Sequence, residues 1–211
     1  MNGRREELGR RFARLVTRVV VARPGLWRIF RRPLRAEFDR LAPDWESMRG
    51  PEALAPLGAA IDGLDREPAR VLDLGTGTGK AARFVAERFP NAAVVGADLS
   101  PAMVERAEEL VPAELAGRLR FQVADASALP FADGEFDLVV LLNMIPFFDE
   151  LARVTAVDGA LAFASYSGPD TPIWTPPETL RARLEPHGFD RFDEFAVGEG
   201  TSLLARRPNP G

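Results

Sequence analysis

The sequence predicts an α/β fold: a doubly wound, mostly parallel seven-stranded sheet with an N-terminal helical extension. Short apolar runs alternate with helical patterns from about residue 70 onward, which is typical of strands joined by crossover helices. The preceding stretch contains helical spacing but no strand-like run, and a glycine-rich turn follows the first apolar run. We therefore predict two parts, a helical extension at residues 1–64 and a sheet-containing core at residues 65–211.

Composition excludes several kinds of chemistry. The 211 residues are 46% hydrophobic and include no cysteine and one histidine. Disulfides, thiolate zinc sites, iron–sulfur clusters and cysteine nucleophiles are therefore excluded, and we predict no metal site. The sequence has neither a signal-peptide pattern nor 18 consecutive apolar residues, so we expect a cytoplasmic protein.

Charge is divided unevenly along the chain. Residues 1–40 hold twelve arginines against four acidic residues, a net charge of +8, whereas the remaining 171 residues carry −12. Such a split suits an anionic surface partner, and we expect peripheral contact of residues 4–22 with an anionic membrane as one possibility. The other is that the basic arm docks onto the acidic body. That acidic body does not predict nucleic-acid binding.

The N-terminal extension has three helical stretches. The first, residues 6–21, has arginines on the face opposite its apolar residues, and Arg23-Pro24-Gly25 ends it. Residues 26–41 form the second, and residues 52–64 the third. The connector between the last two contains Trp45.

The core elements follow in order. Predicted strands lie at residues 71–74, 92–97, 118–123, 136–142, 160–165, 189–197 and 202–206, and the last two form a hairpin-like pair. Predicted helices begin at residues 80, 100, 147 and 178. Ser100 suits the N-cap of its helix and Pro101 the first turn. In an open sheet of this kind, the ligand lies at the carboxyl ends of the strands.

The strongest chemical signal is the turn after the first strand, where Asp73 precedes Gly75, Gly77 and Gly79. Glycines allow a sharp turn and close approach of a ligand to the backbone. A nucleotide P-loop does not fit, because Leu74 stands where the first glycine of that motif belongs and Ala81 where its hydroxyl residue belongs. The dinucleotide motif fits poorly, because Lys80 takes its third small position. A plain structural turn would explain the glycines alone.

Two acidic residues follow later strands. Asp98 ends the second strand, 23 residues after Gly75, where nucleotide-binding folds place the carboxylate that accepts from ribose hydroxyls. Its alternative role is to satisfy the dipole of the helix that follows. Asp125 lies in the sequence Asp125-Ala126-Ser127-Ala128-Leu129-Pro130-Phe131, which otherwise suits a polar loop stopped by proline.

These motifs together resemble the class I S-adenosylmethionine-dependent methyltransferases, over roughly residues 65–205. The resemblance implies a Rossmann-like fold and S-adenosyl-L-methionine as cofactor. It implies that Asp98 holds the ribose, that Asp125 and the Ala126 amide hold the adenine, and that the end of the fourth strand faces the methionine end. The implied cofactor-binding residues are Asp73, Gly75, Thr76, Gly77, Gly79, Asp98, Leu99, Asp125, Ala126, Asn143, Met144 and Trp45.

The function implied by the resemblance is methyl transfer to a small-molecule acceptor, with a lipophilic acceptor among the options. The sequence identifies no acceptor, catalytic base or oligomeric state. Four aromatic residues lie where acceptor-binding loops are expected, although aromatic residues more often belong to the core: Phe147, Phe148, Tyr166 and Trp174. The alternative is a non-catalytic cofactor-binding or membrane-peripheral interaction module.

The extension has an expected role in this scheme. In related methyltransferases a segment similar to that around Trp45 folds over the methionine end of the cofactor. We therefore expect residues 26–50 to cover the cofactor pocket and residues 4–22 to form a separable basic helix.

Overall fold

The computed structural model describes residues 2–48 and 50–208, and the side chains of residues 2–6 and of Pro51 lie outside that description. Arg4 and Arg5, the first arginines of the predicted basic helix, therefore contribute nothing to the contacts described below. Within the described ranges the chain forms a helical N-terminal region followed by alternating strands and helices.

The elements have the following bounds. The α-helices are α1 Asn2–Ala22, α2 Trp27–Leu41, α3 Ala55–Asp62, α4 Lys80–Arg88, α5 Pro101–Glu109, α6 Phe148–Val154 and α7 Pro177–Leu184. The strands are β1 Arg70–Leu74, β2 Ala93–Asp98, β3 Leu119–Val123, β4 Phe136–Leu142, β5 Thr155–Ser165, β6 Arg191–Val197 and β7 Gly200–Arg206. Short 3-10 turns at Pro24–Leu26, Ala42–Met48 and Pro51–Leu54 connect the first three helices.

The seven strands form one sheet in the order β3-β2-β1-β4-β5-β7-β6. Neighbouring strands are parallel, except that β7 runs antiparallel to both β5 and β6. The predicted doubly wound, mostly parallel seven-stranded sheet is therefore confirmed. The chain moves outward from β1 to β3 and then returns to the other side of β1, so a crevice opens between the carboxyl ends of β1 and β4.

The sheet is buried on both faces. Along β4, Val139 and Leu141 pack on one side, and Leu138 and Val140 pack on the other. All four side chains are at most 1% exposed, as the continuous apolar run predicted. This rigid centre fixes the loops that leave the carboxyl ends of the strands.

Some elements differ from the sequence-based prediction. β5 begins at Thr155, five residues earlier than predicted, and pairs there with Phe136 before the register shifts. Asp158, at a φ of 63°, makes the kink that separates this start from the regular part of the strand. Pro51 and Pro56 divide the predicted helix 52–64 into a 3-10 turn and α3.

The first helix is not separable along its whole length, and that expectation is wrong for its second half. Val16 and Val20 are fully buried and belong to the same apolar cluster as the sheet. In addition, Arg183 of α7 donates to the Val21 carbonyl at 3.1 Å. The helical spacing was right, but of the apolar residues that it predicted, Val16 and Val20 are fully buried in the main core, whereas Leu8, Phe12 and Leu15 are exposed.

Candidate cofactor site

The glycine loop after β1 is held in one conformation by its backbone. Gly75, Gly77 and Gly79 all have positive φ, at 74°, 54° and 81°, which disfavours any side chain there. The amides of Gly75 and Thr76 donate to the Ala97 carbonyl at 2.8 and 3.1 Å, which ties the loop to the end of β2. Gly79 then serves as the left-handed N-cap of α4.

Asp73 lies beneath this loop and is 1% exposed. One carboxylate oxygen accepts from Thr76 Oγ1 at 2.5 Å, while Oδ1 is buried without a hydrogen-bond partner among the described residues. Burial raises the pKa of Asp73 to about 7, although the Thr76 hydrogen bond opposes the shift. A buried, incompletely paired carboxylate is suited to a cationic ligand group.

Asp98, at the end of β2, braces the loop from the side. Its two oxygens accept from the amides of Gly77 at 2.8 Å and Ser100 at 2.9 Å. Burial raises the pKa of Asp98, and the hydrogen bonds from Ser100 and Gly77 oppose that shift. The N-cap of α5 is Ser100, whose hydroxyl accepts from the Met103 amide at 3.1 Å. Asp98 is therefore free of the capping role, and its remaining lone pairs can accept further hydrogen bonds.

Asp125 follows β3 and contacts the N-terminal region. Its Oδ1 accepts from Trp27 Nε1 at 2.8 Å and from the Ser127 amide at 2.9 Å, and Arg31 lies 3.4 Å from Oδ2. Burial alone would raise the pKa of Asp125, but the hydrogen bonds from Ser127, Trp27 and Arg31 outweigh it and lower the pKa. The next residue, Ala126, is buried. Asp125 is thus an ionised acceptor at this edge of the crevice.

Helix α2 and the turn after it make further contacts with the loops of the crevice. Asp39 accepts from Ser100 Oγ at 2.6 Å. Glu46 accepts a short hydrogen bond from Thr78 and lies 3.3 Å from Arg83. Sequence reasoning missed these residues and Trp27, because polar residues of a helix carry no pattern that names a distant partner.

Trp45 lies directly over the glycine loop. A Cβ built on Gly77 would stand 2.9 Å from the indole Nε1, and the ring packs edge-on against Phe38 at 5.9 Å. Met144 occupies the equivalent place over Gly75, because a Cβ there would stand 2.6 Å from its sulfur. The predicted residues Trp45 and Met144 therefore come together with the glycines.

The remaining predicted residues lie near the end of β4 or in the core. Asn143 has a φ of 54° and accepts from the Tyr166 amide at 3.4 Å. Leu99 is partly buried and packs against the core. Phe147 and Phe148 are 4% and 2% exposed, which favours the packing alternative for both. Phe147 contacts the Trp27 ring at 5.3 Å, and Phe148 lies under the guanidinium of Arg183. Their contact with an acceptor stays a prediction.

A cavity of about 230 Å³ begins beside the end of β4. Asn143 and Met144 border it at the cofactor loops, and Trp174 borders it on the side of the segment before α7. Phe163 and Leu203 supply its apolar floor. Trp174, one of the predicted acceptor-site aromatics, is thus placed in a cavity wall.

Neither metal nor membrane-spanning features occur in the described ranges. No three His, Asp or Glu side chains there lie close enough to hold a metal ion. Over those same ranges, no helix has both the length and the apolar character needed to cross a bilayer. His187 lies in a 3-10 turn after α7, with Nε2 3.4 Å from Asp149.

A strand that ends in a buried aspartate, a three-glycine loop and a second buried aspartate define a Rossmann-like cofactor-binding domain. Residues 71–163 match the family described as "Methyltransferase domain". Residues 71–163 thus carry a methyltransferase domain, and the curated relatives support the resemblance to class I S-adenosylmethionine-dependent methyltransferases. The cofactor that this family implies is S-adenosylmethionine.

Curated relatives agree with this assignment. The chain is 44% identical to a demethylmenaquinone methyltransferase of Thermus thermophilus over 119 residues, which are 52% of this chain and 53% of the relative. It is 36% identical to a malonyl-acyl-carrier-protein O-methyltransferase of Halorhodospira halophila over 152 residues, 68% of this chain and 50% of the relative. The chain thus spans about half the length of these relatives.

Solved structures agree on the fold. A SAM-dependent methyltransferase of Aquifex aeolicus matches with a TM-score of 0.60 at 20% identity, covering 78% of this chain and 97% of that one. The cyclase SpnF matches with a TM-score of 0.62 at 19% identity, covering 74% and 82%. Since a cyclase shares the fold, the fold alone does not fix the reaction.

The site's own residues fit the implied cofactor. Among the described residues, no group donates a hydrogen bond to the buried Oδ1 of Asp73, and an ammonium group can supply that donor. Asp98 has lone pairs left for ribose hydroxyls, and Asp125 is an ionised acceptor for an adenine amino group. All three lie at the carboxyl ends of adjacent parallel strands, where this fold binds ligands.

Proposed function

We propose that this protein transfers a methyl group from S-adenosylmethionine to a small-molecule acceptor. The observation that carries the proposal is the joint presence of Asp73, the three-glycine loop and Asp98 at the carboxyl ends of β1 and β2. The relatives named as methyltransferases of demethylmenaquinone, malonyl-acyl-carrier protein and tocopherol support a small-molecule acceptor. None of them favours a non-catalytic module.

In this proposal, the cofactor residues predicted from the sequence keep their assigned roles. When bound, S-adenosylmethionine supplies an electrophilic methyl group on a sulfonium. Asp73 faces the amino-acid end, Asp98 accepts from the ribose and Asp125 from the adenine. Because the loop residues with positive φ are glycines, a ligand can approach the loop backbone without meeting their side chains.

Methyl transfer depends mainly on alignment, because the sulfonium is already a good leaving group. The chain's contribution is to hold the acceptor in line beside Asn143 and Met144 and to exclude water. Trp45 and the residues around it, within residues 26–50, cover the glycine loop in this scheme. A general base is needed only for a hydroxyl or protonated nitrogen acceptor.

The proposal is tested by binding and by turnover. S-adenosylhomocysteine, the demethylated product, should give a saturable isothermal titration, whereas NAD and ATP with Mg²⁺ should give none. At a hundredfold excess over Kd it should stabilise the fold by about 2.7 kcal/mol. Mass spectrometry of an extract incubated with the protein and S-adenosylmethionine should then reveal a methylated small molecule. Tight NAD binding without a response to S-adenosylhomocysteine would overturn the proposal.

A contact with anionic membranes is proposed as a partner interaction of the same protein. Leu8, Phe12 and Leu15 lie on one face of α1 and are 65%, 43% and 57% exposed. Ile29, near the start of α2, is 58% exposed. Exposed apolar side chains among arginines are the pattern of a helix that lies in a bilayer interface.

A further inference from the structure

A second cavity, of about 500 Å³, lies between α1 and the segment before α7. Its wall on the α1 side includes Arg14, Arg18 and Val21, and α7 contributes Arg183. The opposite wall is largely apolar. It is formed by Pro169, Pro172, Trp174 and Pro176. The cavity therefore combines positive charge with flat apolar surface.

Within the part of the chain that the structure describes, no acidic side chain pairs with the arginines of this cavity. None of its three guanidinium groups lies within 4.0 Å of a carboxylate whose position the structure describes, whereas Arg153 and Arg206 elsewhere each pair with two acidic residues. Arg14 donates only to the Asp170 carbonyl at 3.0 Å, and Arg183 to the Val21 carbonyl at 3.1 Å. Guanidinium groups without a carboxylate suit a carboxylate or phosphate ligand.

This cavity adjoins the one that reaches the cofactor loops. Pro169, Trp174 and Thr175 line both, so a single strip of chain separates the arginines from the space beside Met144. A ligand that passes this strip would have its charged end at Arg14 and Arg18 and its apolar body against Trp174. The far end would then point toward the predicted methyl-transfer position.

We propose that the cavity between α1 and residues 169–176 binds the anionic end of the acceptor. The acceptor is accordingly an apolar molecule that carries a carboxylate or a phosphate group. This inference rests on the proposed methyltransferase function, which it makes more specific. Binding energy from such a remote charged group helps to hold the reacting end in line.

Octanoate is a suitable probe, and octan-1-ol is its uncharged counterpart. The variant R14Q/R18Q removes two charges from the cavity wall. R28Q/R32Q is the matched control, because it removes two exposed arginines of α2 that do not border the cavity. Octanoate should bind the unaltered protein and the control equally, and R14Q/R18Q about tenfold more weakly. Octan-1-ol should bind more weakly than octanoate and should not distinguish the variants.

The Trp174 indole N–H resonance gives a local readout. It can be assigned in the NMR spectrum by comparison with Trp174→Phe, and octanoate should shift it in a saturable way. If octanoate does not bind, or if it binds R14Q/R18Q as well as the control, the acceptor inference is overturned. A titration of each variant with S-adenosylhomocysteine keeps the two proposals apart. If the unaltered protein binds octanoate but not S-adenosylhomocysteine, the methyltransferase proposal fails, whereas the cavity is still an anion-binding site.

Discussion

At the scale of single residues, substitution of Asp98 can separate two roles of its carboxylate, which are to hold the glycine loop and to bind the ribose. Each of its oxygens already accepts one backbone hydrogen bond, from Gly77 or Ser100, and ribose contacts would use the remaining lone pairs. We expect Asp98→Ala to weaken S-adenosylhomocysteine binding by about 10- to 150-fold, since hydrogen bonds to a charged group contribute about 1.5–3 kcal/mol. Isothermal titration measures the loss.

The control for this prediction is Asp62→Ala, which removes an exposed carboxylate paired with Arg88 on the side of α4. It should leave the dissociation constant unchanged. An unchanged constant in Asp98→Ala as well would show that this carboxylate only braces the loop.

Asp73 makes stability depend on pH. Its pKa in the folded protein, about 7, lies above the ordinary value of 3.8, so the folded state binds the proton more tightly than the unfolded chain does. The stability from this group is fully present below pH 3.8 and is lost as pH rises through 7. We expect Asp73→Asn to remove a decline on the order of 2–4 kcal/mol between pH 4 and pH 8.

Chemical denaturation at several pH values tests this, with the unaltered protein as the reference, because the two proteins differ only at residue 73. The unfolding free energy of Asp73→Asn minus that of the unaltered protein should rise steadily from pH 4 and level off above pH 8. A difference that does not vary with pH would show that Asp73 is ionised in both states.

Local sequence patterns predicted the residues of the glycine loop and of the strand ends, because those residues act through their own backbone and nearest neighbours. Glycine is the residue type that tolerates the positive φ found at Gly75, Gly77 and Gly79. The contacts of Trp27 with Asp125 and of Asp39 with Ser100 span 98 and 61 residues. No local pattern encodes such pairs, since they depend on how α2 lies across the sheet.

At the scale of elements, helix α1 has two faces with different roles. Val16 and Val20 are fully buried in the core, whereas Leu8 and Leu15 are exposed. Periodicity predicted the helix, but it could not say which apolar residues would find partners. We expect deletion of residues 1–11 to leave the unfolding free energy nearly unchanged. Deletion of residues 1–22 should cost several kcal/mol, because it exposes the core that these valines cover.

Denaturant unfolding of both truncated proteins checks this prediction. Equal stabilities for the two would mean that α1 is separable after all. The shorter deletion also serves as the reference for any binding experiment that requires an intact core.

Trp45 links the turn after α2 to cofactor binding. Its indole lies over Gly77 and packs edge-on against Phe38. We expect Trp45→Ala to weaken S-adenosylhomocysteine binding by about three- to tenfold, since an aromatic contact of this kind contributes about 0.5–1.5 kcal/mol. Trp45→Phe is the matched control, because it keeps an aromatic ring at the position over Gly77. A loss of stability in Trp45→Ala without a loss of affinity would assign this tryptophan to packing.

At the scale of the whole molecule, some arginines of the basic N-terminal segment contact the rest of the protein, and others are left for a partner. Arg31 of the basic segment pairs with Asp125 of the body, and Arg10 and Arg14 both donate to the Asp170 carbonyl. Composition predicted the +8 and −12 halves but left self-docking and an external anionic partner open. These contacts use only part of the positive charge, so self-docking does not remove the case for a partner.

The exposed apolar stripe on α1 leads to the last prediction, which concerns how the molecule meets a membrane. Leu8 and Leu15 face solvent beside Arg11 and Arg14, so a bilayer that carries phosphatidylserine can bury the apolar side chains and attract the charges together. We expect the protein to co-sediment with phosphatidylserine vesicles and not with pure phosphatidylcholine vesicles, and to be released by high salt. The double variant L8Q/L15Q should weaken the interaction by tenfold or more, since burial of each leucine contributes about 1.5–3 kcal/mol.

V157Q/V197Q is its control, because those two valines are also exposed, at 51% and 39%, but lie on β5 and β6. If both variants bind the vesicles as the unaltered protein does, the stripe has no role in membrane contact, and if the control loses binding equally, the loss is not specific to α1.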